Sequence, residues 1–145
     1  LNNIVKKIDL GTLKMSLNIC EVTKSSITLS SAAMPPIYLY NSKSKKTEEI
    51  LIRGLPLGGL KNETFDIQKR KFNKGDVLVL LSDGLPEAEN DAGELYDYER
   101  VIDLISKNAS KSAEELKSKL IGEVDIWLKG GIPDDDVTIV VIKKN

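Results

Sequence analysis

Two acidic points carry residue types and spacing from which chemistry could be built. The first is Asp83, in Ser82-Asp83-Gly84, where the continuous apolar run Val77 to Leu81 stops abruptly. The second is the cluster Asp134, Asp135 and Asp136, which leads into another apolar run, Val137 to Ile142. Short runs of this kind predict strands buried on both faces. Asp83 then stands at the exit of one strand and the cluster at the entrance to another. If the two strands are antiparallel neighbours, both points fall at one edge of a sheet. Carboxylates gathered there repel each other and are costly to keep ionised unless cations neutralise them. Hard oxygen donors suit Mg²⁺ or Mn²⁺ and disfavour zinc. The competing reading is structural, since Asp-Gly is a frequent turn dipeptide and an aspartate before a strand can simply end a loop.

Composition narrows the chemistry further. The chain has no histidine, which removes Ser-His-Asp and Cys-His triads, His-ligated zinc and imidazole as a general base. The single cysteine, Cys20, sits among alternating apolar residues and reads as a buried free thiol rather than a nucleophile or ligand. Carboxylates, hydroxyls and lysines remain. A net charge of -1 with scattered basic residues lacks the electrostatic footprint of a nucleic-acid binder. No uncharged apolar run approaches the roughly 18 residues that span a bilayer, and no basic-then-apolar leader is visible. No membrane segment is expected, and the cytoplasm is the predicted location.

The elements that must position the two points follow from periodicity. At 145 residues, 41% hydrophobic and 30% charged, the chain suits one globular domain. Leu1 to Ile8 reads as the last turns of a helix without a start, and with no initiator Met the chain is expected to be a fragment. Leu13, Met15, Leu17 and Ile19 alternate with polar residues, predicting a strand with that face in the core. Thr23-Lys24-Ser25 is a turn into a second strand, Ile27 to Ala33. Ile37 to Tyr40 is extended, Asn41 to Glu49 is a solvated hairpin tip, and Ile50 to Ile52 is a short strand beyond it. Gly54 to Gly59 is a packing loop. Glu63 to Ile67 is a further strand, and Lys74-Gly75-Asp76 a turn before Val77 to Leu81.

After an acidic loop, Glu87 to Glu94, one helix begins at Asp97 and puts Tyr98, Val101, Ile102 and Ile105 on one face. A second begins at Ser112, with Glu115 at capping-box spacing, and Gly130-Gly131 ends it. Trp127 falls on its core face. Strands, two helices and a returning strand predict an α+β architecture rather than alternating βαβ units.

The segment LVLLSDGLPEAENDAGELYDYERV (78–101) resembles the corresponding stretch of the SpoIIE/RsbU group of bacterial PP2C-type (PPM) protein serine/threonine phosphatases. LNNIVKKI (1–8), SSAAMPPIYLY (30–40), GLPLGG (54–59) and DDDVTIVVIKK (134–144) match in the same order. The resemblance implies a layered sandwich of two antiparallel sheets with flanking helices. It also implies a two-metal Mn²⁺ or Mg²⁺ centre, at which an activated water attacks phosphoserine or phosphothreonine in line. On this likeness Asp83 is a metal ligand and Gly84 permits the sharp exit that aims it. Asp135 is the second ligand and Asp136 its neighbour, while Asp134 leaves a one-residue ambiguity of register. Glu87 matches an acidic family position and is read as fixing the loop or supporting a ligand rather than as a ligand itself, with a ligand role as the alternative.

One family feature has no counterpart here, the N-terminal Asp-x-x-Gly-His-Gly-like motif whose aspartate and glycine carbonyl bind the metals. The expectation is therefore that residues 1–145 are the C-terminal portion of one phosphatase domain, with the metal site incomplete and little activity alone. The parent protein is expected to be a metal-dependent phosphatase acting in sigma factor regulation on a phosphorylated STAS-type anti-anti-sigma protein. Unpaired strand edges predict a homodimer or an exchanged element. A catalytically dead PP2C-like partner-binding module is the alternative. A two-metal phosphodiesterase or nuclease is disfavoured by the lack of a basic surface for a polyanion.

Overall fold

Alternating and continuous apolar segments assemble into two antiparallel sheets in a computed structural model that describes residues 1–8 and 11–145. The elements are α1 (Asn2–Ile8), β1 (Leu17–Val22), β2 (Ser26–Ala32), β3 (Ile37–Asn41), β4 (Lys46–Ile50), β5 (Gln68–Lys71), β6 (Val77–Leu81), α2 (Tyr98–Asn108), α3 (Ala113–Trp127) and β7 (Ile139–Lys143). They form two units: residues 1–34 with 51–72, and residues 35–50 with 73–145.

The larger unit holds the sheet β4-β3-β6-β7. Its inner strand β6 is wholly apolar because its side chains are almost all buried, on both faces, and it is paired on both edges, Tyr38 lying opposite Val79 and Leu81 opposite Ile139. Val77, Val79 and Leu81 share one core with Val101 and Ile105 of α2 and with Leu116, Leu120 and Val124 of α3. Each such side chain contributes about 1.5–3 kcal/mol on burial. That common core holds β6 and the loop after it against the helices.

Both helices start as their sequences predict. The Asp97 carboxylate accepts from the Tyr98 backbone N–H, and Ser112 with Glu115 forms a reciprocal capping box. The C-terminal end of α2 is closed by Lys143 of β7. Its Nζ donates to the carbonyls of Ala109 and Ser110, both at 2.9 Å, and to that of Lys111. The carbonyl of the C-cap residue Ala109 and the two that follow it in the turn are thereby satisfied.

The smaller unit holds the sheet β1-β2-β5 and α1. The β1–β2 turn is closed by Thr23, whose backbone N–H donates to the Ser26 carbonyl at 2.8 Å. Asn2 ties α1 to the glycine-rich loop. Its Oδ1 accepts from Gly58 N–H at 2.9 Å and its Nδ2 donates to the Leu60 carbonyl at 2.8 Å. Gly58 has φ +80, and a Cβ there would lie 3.0 Å from Val5. The loop is indeed a packing device.

Five sequence expectations need correction. Leu13, Met15 and Ile19 do not face the core, and Ile19 is 55% exposed. By register, Asn18 and Cys20 share the face of buried Ser31 and Leu29 instead. β1 is an outer strand, so its apolar alternation marks the face away from those residues, and Cys20 is only half-buried. Burial still pushes its thiol above the usual range. The polar tract does not stay a loop. Lys46 to Ile50 is a strand, tolerated because β4 is an outer strand with mostly exposed side chains.

Residues 63–67 form no strand, and the basic segment Gln68–Lys71 pairs with β2 instead. Lysine on an outer strand is a common guard against edge-to-edge association. Finally, β7 is half-buried rather than buried, since β6 covers one of its edges and nothing in its sheet pairs with the other.

Candidate metal centre

β6 and β7 are antiparallel neighbours, which is the condition for the two acidic points to meet. Their pairing runs from Val77 opposite Lys143 to Leu81 opposite Ile139. Ser82 extends it beyond the strand ends. Its backbone N–H donates to the Thr138 carbonyl at 3.0 Å. Its hydroxyl donates to the Asp136 carbonyl at 2.8 Å and accepts from Thr138 N–H at 2.9 Å. One serine therefore locks the segment entering β7 to the segment leaving β6.

Gly84 makes the closest approach. A Cβ there would lie 2.7 Å from the Asp136 carbonyl oxygen and 2.9 Å from that of Asp135. Both distances are below what any side chain tolerates, so the residue after Asp83 has to be glycine. The structure thus brings Asp83, Asp135 and Asp136 together at one sheet edge.

All of the acidic side chains, Asp134 and Glu87 included, are exposed. The Asp135 Oδ1 accepts from the Asp136 N–H at 2.8 Å, whereas among the described residues no protein group donates to the Asp83 carboxylate.

The loop after Asp83 is tightly made. Glu87 N–H donates to the Asp83 carbonyl at 2.9 Å, and Leu85 is fully buried beneath the turn. Asp97 N–H reaches the Pro86 carbonyl at 2.7 Å and Tyr96 N–H the Ala88 carbonyl at 2.9 Å. The Trp127 indole donates to the same Ala88 carbonyl at 3.0 Å, so Trp127 is core with one polar anchor. Arg100 lies 4.5 Å over its ring and Tyr96 meets it edge-on at 5.8 Å.

Glu87 is held from outside the loop, by the Tyr98 hydroxyl donating to its Oε1 at 3.0 Å. Burial, then that hydrogen bond, then the negative charges of Glu87, Asp83 and Glu49 push the Tyr98 phenol up to about 12. It stays protonated at neutral pH, as a donor must. The Tyr38 phenol is also pushed up, first by burial and then by Glu49, its cross-strand partner. Its hydroxyl has no hydrogen-bond partner among the described residues.

The donor set fits a hard divalent cation in chemistry but not in number. Asp83 and Asp135 supply oxygens at adjoining strand ends, as Mg²⁺ or Mn²⁺ requires. Among the described residues, however, no three acidic, cysteine or histidine side chains converge closely enough to hold an ion by themselves.

Two contributing residues escaped the sequence reading. Ser82 was a strand end and Tyr98 a member of a core face. Only the register of β6 against β7 could have exposed the first, and only the fold of the loop onto α2 the second.

The profile of the family described as Stage II sporulation protein E (SpoIIE) matches residues 1–145. The chain is similar to the phosphoserine phosphatase RsbU of Bacillus subtilis, 26% identical over 121 residues that make up 83% of this chain and 36% of RsbU. It is also 26% identical over 130 residues to protein IcfG of Synechocystis sp., covering 88% of this chain and 20% of IcfG. In three dimensions it is similar to the solved PP2C phosphatase domain of the cell fate determinant SpoIIE from Bacillus subtilis. The TM-score is 0.71 at 21% identity, covering 95% of this chain and 42% of that one. This likeness shows the fold, two antiparallel sheets with helices as in PP2C domains. The chain spans a minor part of each of these proteins. No helix among the described residues is long and apolar enough to cross a membrane.

Proposed function

Because the chain belongs to the SpoIIE family, we propose that residues 1–145 are the C-terminal portion of one PP2C-type phosphatase domain. In its complete form that domain hydrolyses phosphoserine or phosphothreonine on a regulatory protein. The observation that carries the proposal is the meeting of Asp83 and Asp135 at the paired ends of β6 and β7, with Gly84 packed on the carbonyls behind them.

Asp83 and Asp135 would hold divalent cations, Mn²⁺ or Mg²⁺, together with donors from outside these residues. Asp136 and Asp134 stand in reserve beside Asp135. The chemistry such cations would supply when held by Asp83 and Asp135 is an activated water and compensation of phosphoryl charge. The chain's own residues position. Ser82 fixes the spacing of the two strand ends, Gly84 allows the close approach, and Glu87 steadies the turn between Asp83 and α2. The proposed substrate is a phosphorylated STAS-type anti-anti-sigma protein, a reading that rests on resemblance to the RsbU group. The outer strands of both sheets favour association of residues 1–145 through a strand edge or an exchanged element.

The test is phosphate release from such a phosphoprotein by a longer protein that includes the upstream segment. Expected are turnover with Mn²⁺ or Mg²⁺, its loss in Asp83→Asn, and negligible turnover by residues 1–145 alone. Equal turnover by residues 1–145 would overturn the incomplete-site reading. One rival is a partner-binding module without catalysis, which needs no converging ligands; among the described residues no three such side chains converge. Tight binding of the phosphoprotein by the longer protein, with no metal-dependent release, would establish that rival.

A further inference from the structure

We propose that Tyr98 is the positioning residue for the Asp83 loop, its hydroxyl holding Glu87 so that the turn after β6 keeps the Asp83 carboxylate beside Asp135. This rests on the reading of Asp83 as a metal ligand.

Three observations converge on it. Glu87 follows Asp83 by four residues, and its N–H closes the turn on the Asp83 carbonyl at 2.9 Å. In such a turn side chains four apart are neighbours, and like charges there are unfavourable. Left free, Glu87 would crowd the Asp83 carboxylate or open the turn. Its carboxylate has one side-chain partner among the described residues, the Tyr98 hydroxyl at 3.0 Å. The ring of Tyr98 is enough for packing against the core, and a phenylalanine would serve that purpose equally. The hydroxyl is needed only for Glu87.

The third observation is backbone strain. Asp97, immediately before Tyr98, has φ 78 and ψ 149, a strained region occupied almost solely by glycine. It is kept there by its own N–H on the Pro86 carbonyl at 2.7 Å and by its carboxylate on the Tyr98 N–H at 2.5 Å. The first residue of α2 is thereby aimed back at the Asp83 loop. Strain maintained at that residue and spent on that direction is what a positioning role requires. A helix start chosen for stability alone would relax.

The experiment uses residues 1–145 carrying Tyr98→Phe, Glu87→Gln or Asp83→Asn, each compared with the parent sequence. Amide hydrogen exchange is read by NMR and Mn²⁺ is titrated by paramagnetic broadening. In Tyr98→Phe, exchange at the Glu87 amide should rise about tenfold, the scale of a lost hydrogen bond to a charged group. Amides of β6 and the melting temperature should stay as they were. Broadening at Asp83 and Gly84 should need several-fold more Mn²⁺, and Tyr98→Phe combined with Glu87→Gln should add little to either single change. An unchanged Glu87 exchange rate overturns the proposal, and so does a Mn²⁺ response in Tyr98→Phe equal to that of the parent sequence. Broadening that survives Asp83→Asn overturns instead the metal reading beneath it.

Discussion

The strand β6 has an aspartate near each end, and the two are treated in opposite ways. Asp76, just before it, is 1% exposed. Its Oδ1 accepts from the Ser42 N–H at 2.8 Å and the Ser42 hydroxyl at 2.9 Å, and its Oδ2 from the Asn73 N–H at 2.8 Å and side-chain amide at 3.4 Å. Asp83, two residues past the other end, is exposed and receives no donor among the described residues. One carboxylate has its lone pairs occupied by the turns that it ties together; the other has its lone pairs available. The difference separates an aspartate whose oxygens are committed to structure from one whose oxygens are not. The criterion is where the hydrogen-bonding capacity goes, and under the proposed function the spare capacity at Asp83 is what a cation would use.

The comparison breaks most visibly on substitution. Asp76→Ala leaves the backbone N–H groups of Ser42 and Asn73 without their acceptor at a buried site, the Ser42 hydroxyl keeping the Lys74 carbonyl at 3.0 Å, and should cost about 2–4 kcal/mol. Asp83→Asn should change stability by no more than about 0.5 kcal/mol. Urea unfolding of both variants checks this, and equal losses would erase the distinction.

Acid sharpens it next. Burial pushes the Asp76 carboxyl upward, but the hydrogen bonds from Ser42 and Asn73 outweigh it and hold the group below its ordinary range. The stabilisation is then fully present above the unfolded value of about 3.9 and is lost as pH falls through the lower folded value. The urea midpoint should fall more steeply below about pH 4 in the parent sequence than in Asp76→Asn.

An effect smaller than that at Asp76 belongs to Ser82, whose hydroxyl joins the two strand ends. Ser82→Ala should cost about 1 kcal/mol and raise amide exchange at Thr138 while leaving the Asp76 turn protected.

How far all this was legible depended on where each residue's partners lie. β6 could be read from five consecutive apolar residues because a strand paired on both edges and covered on both faces has no other composition open to it. The capping box at Ser112 and the cap at Asp97 were legible because their partners are within three residues. Outer strands were not. β4 and β5 carry polar and basic side chains that the pairing does not exclude, so Lys46 to Glu49 read as part of a hairpin tip and Gln68–Lys71 as no strand at all. β1 misled in the opposite sense, through apolar residues that stay exposed while Asn18 lies on the face of buried Ser31. At the site, Asp83, Gly84 and Asp135 stood out by their types and place. Ser82 and Tyr98 act through partners 54 and 11 residues away, and residue type does not reveal such partners.

The central claim is that the Asp83 end of β6 is a cation-binding edge and the Asp76 end is not. Its most direct test is Mn²⁺ titration of residues 1–145 followed amide by amide. The account predicts that resonances of Ser82 to Gly84 and Asp135 to Val137 broaden first and together, that those of Ser42, Asn73 and Asp76 persist, and that Asp83→Asn abolishes the effect. Broadening that begins at other acidic residues, or that spreads evenly over the surface and ignores Asp83→Asn, would contradict it.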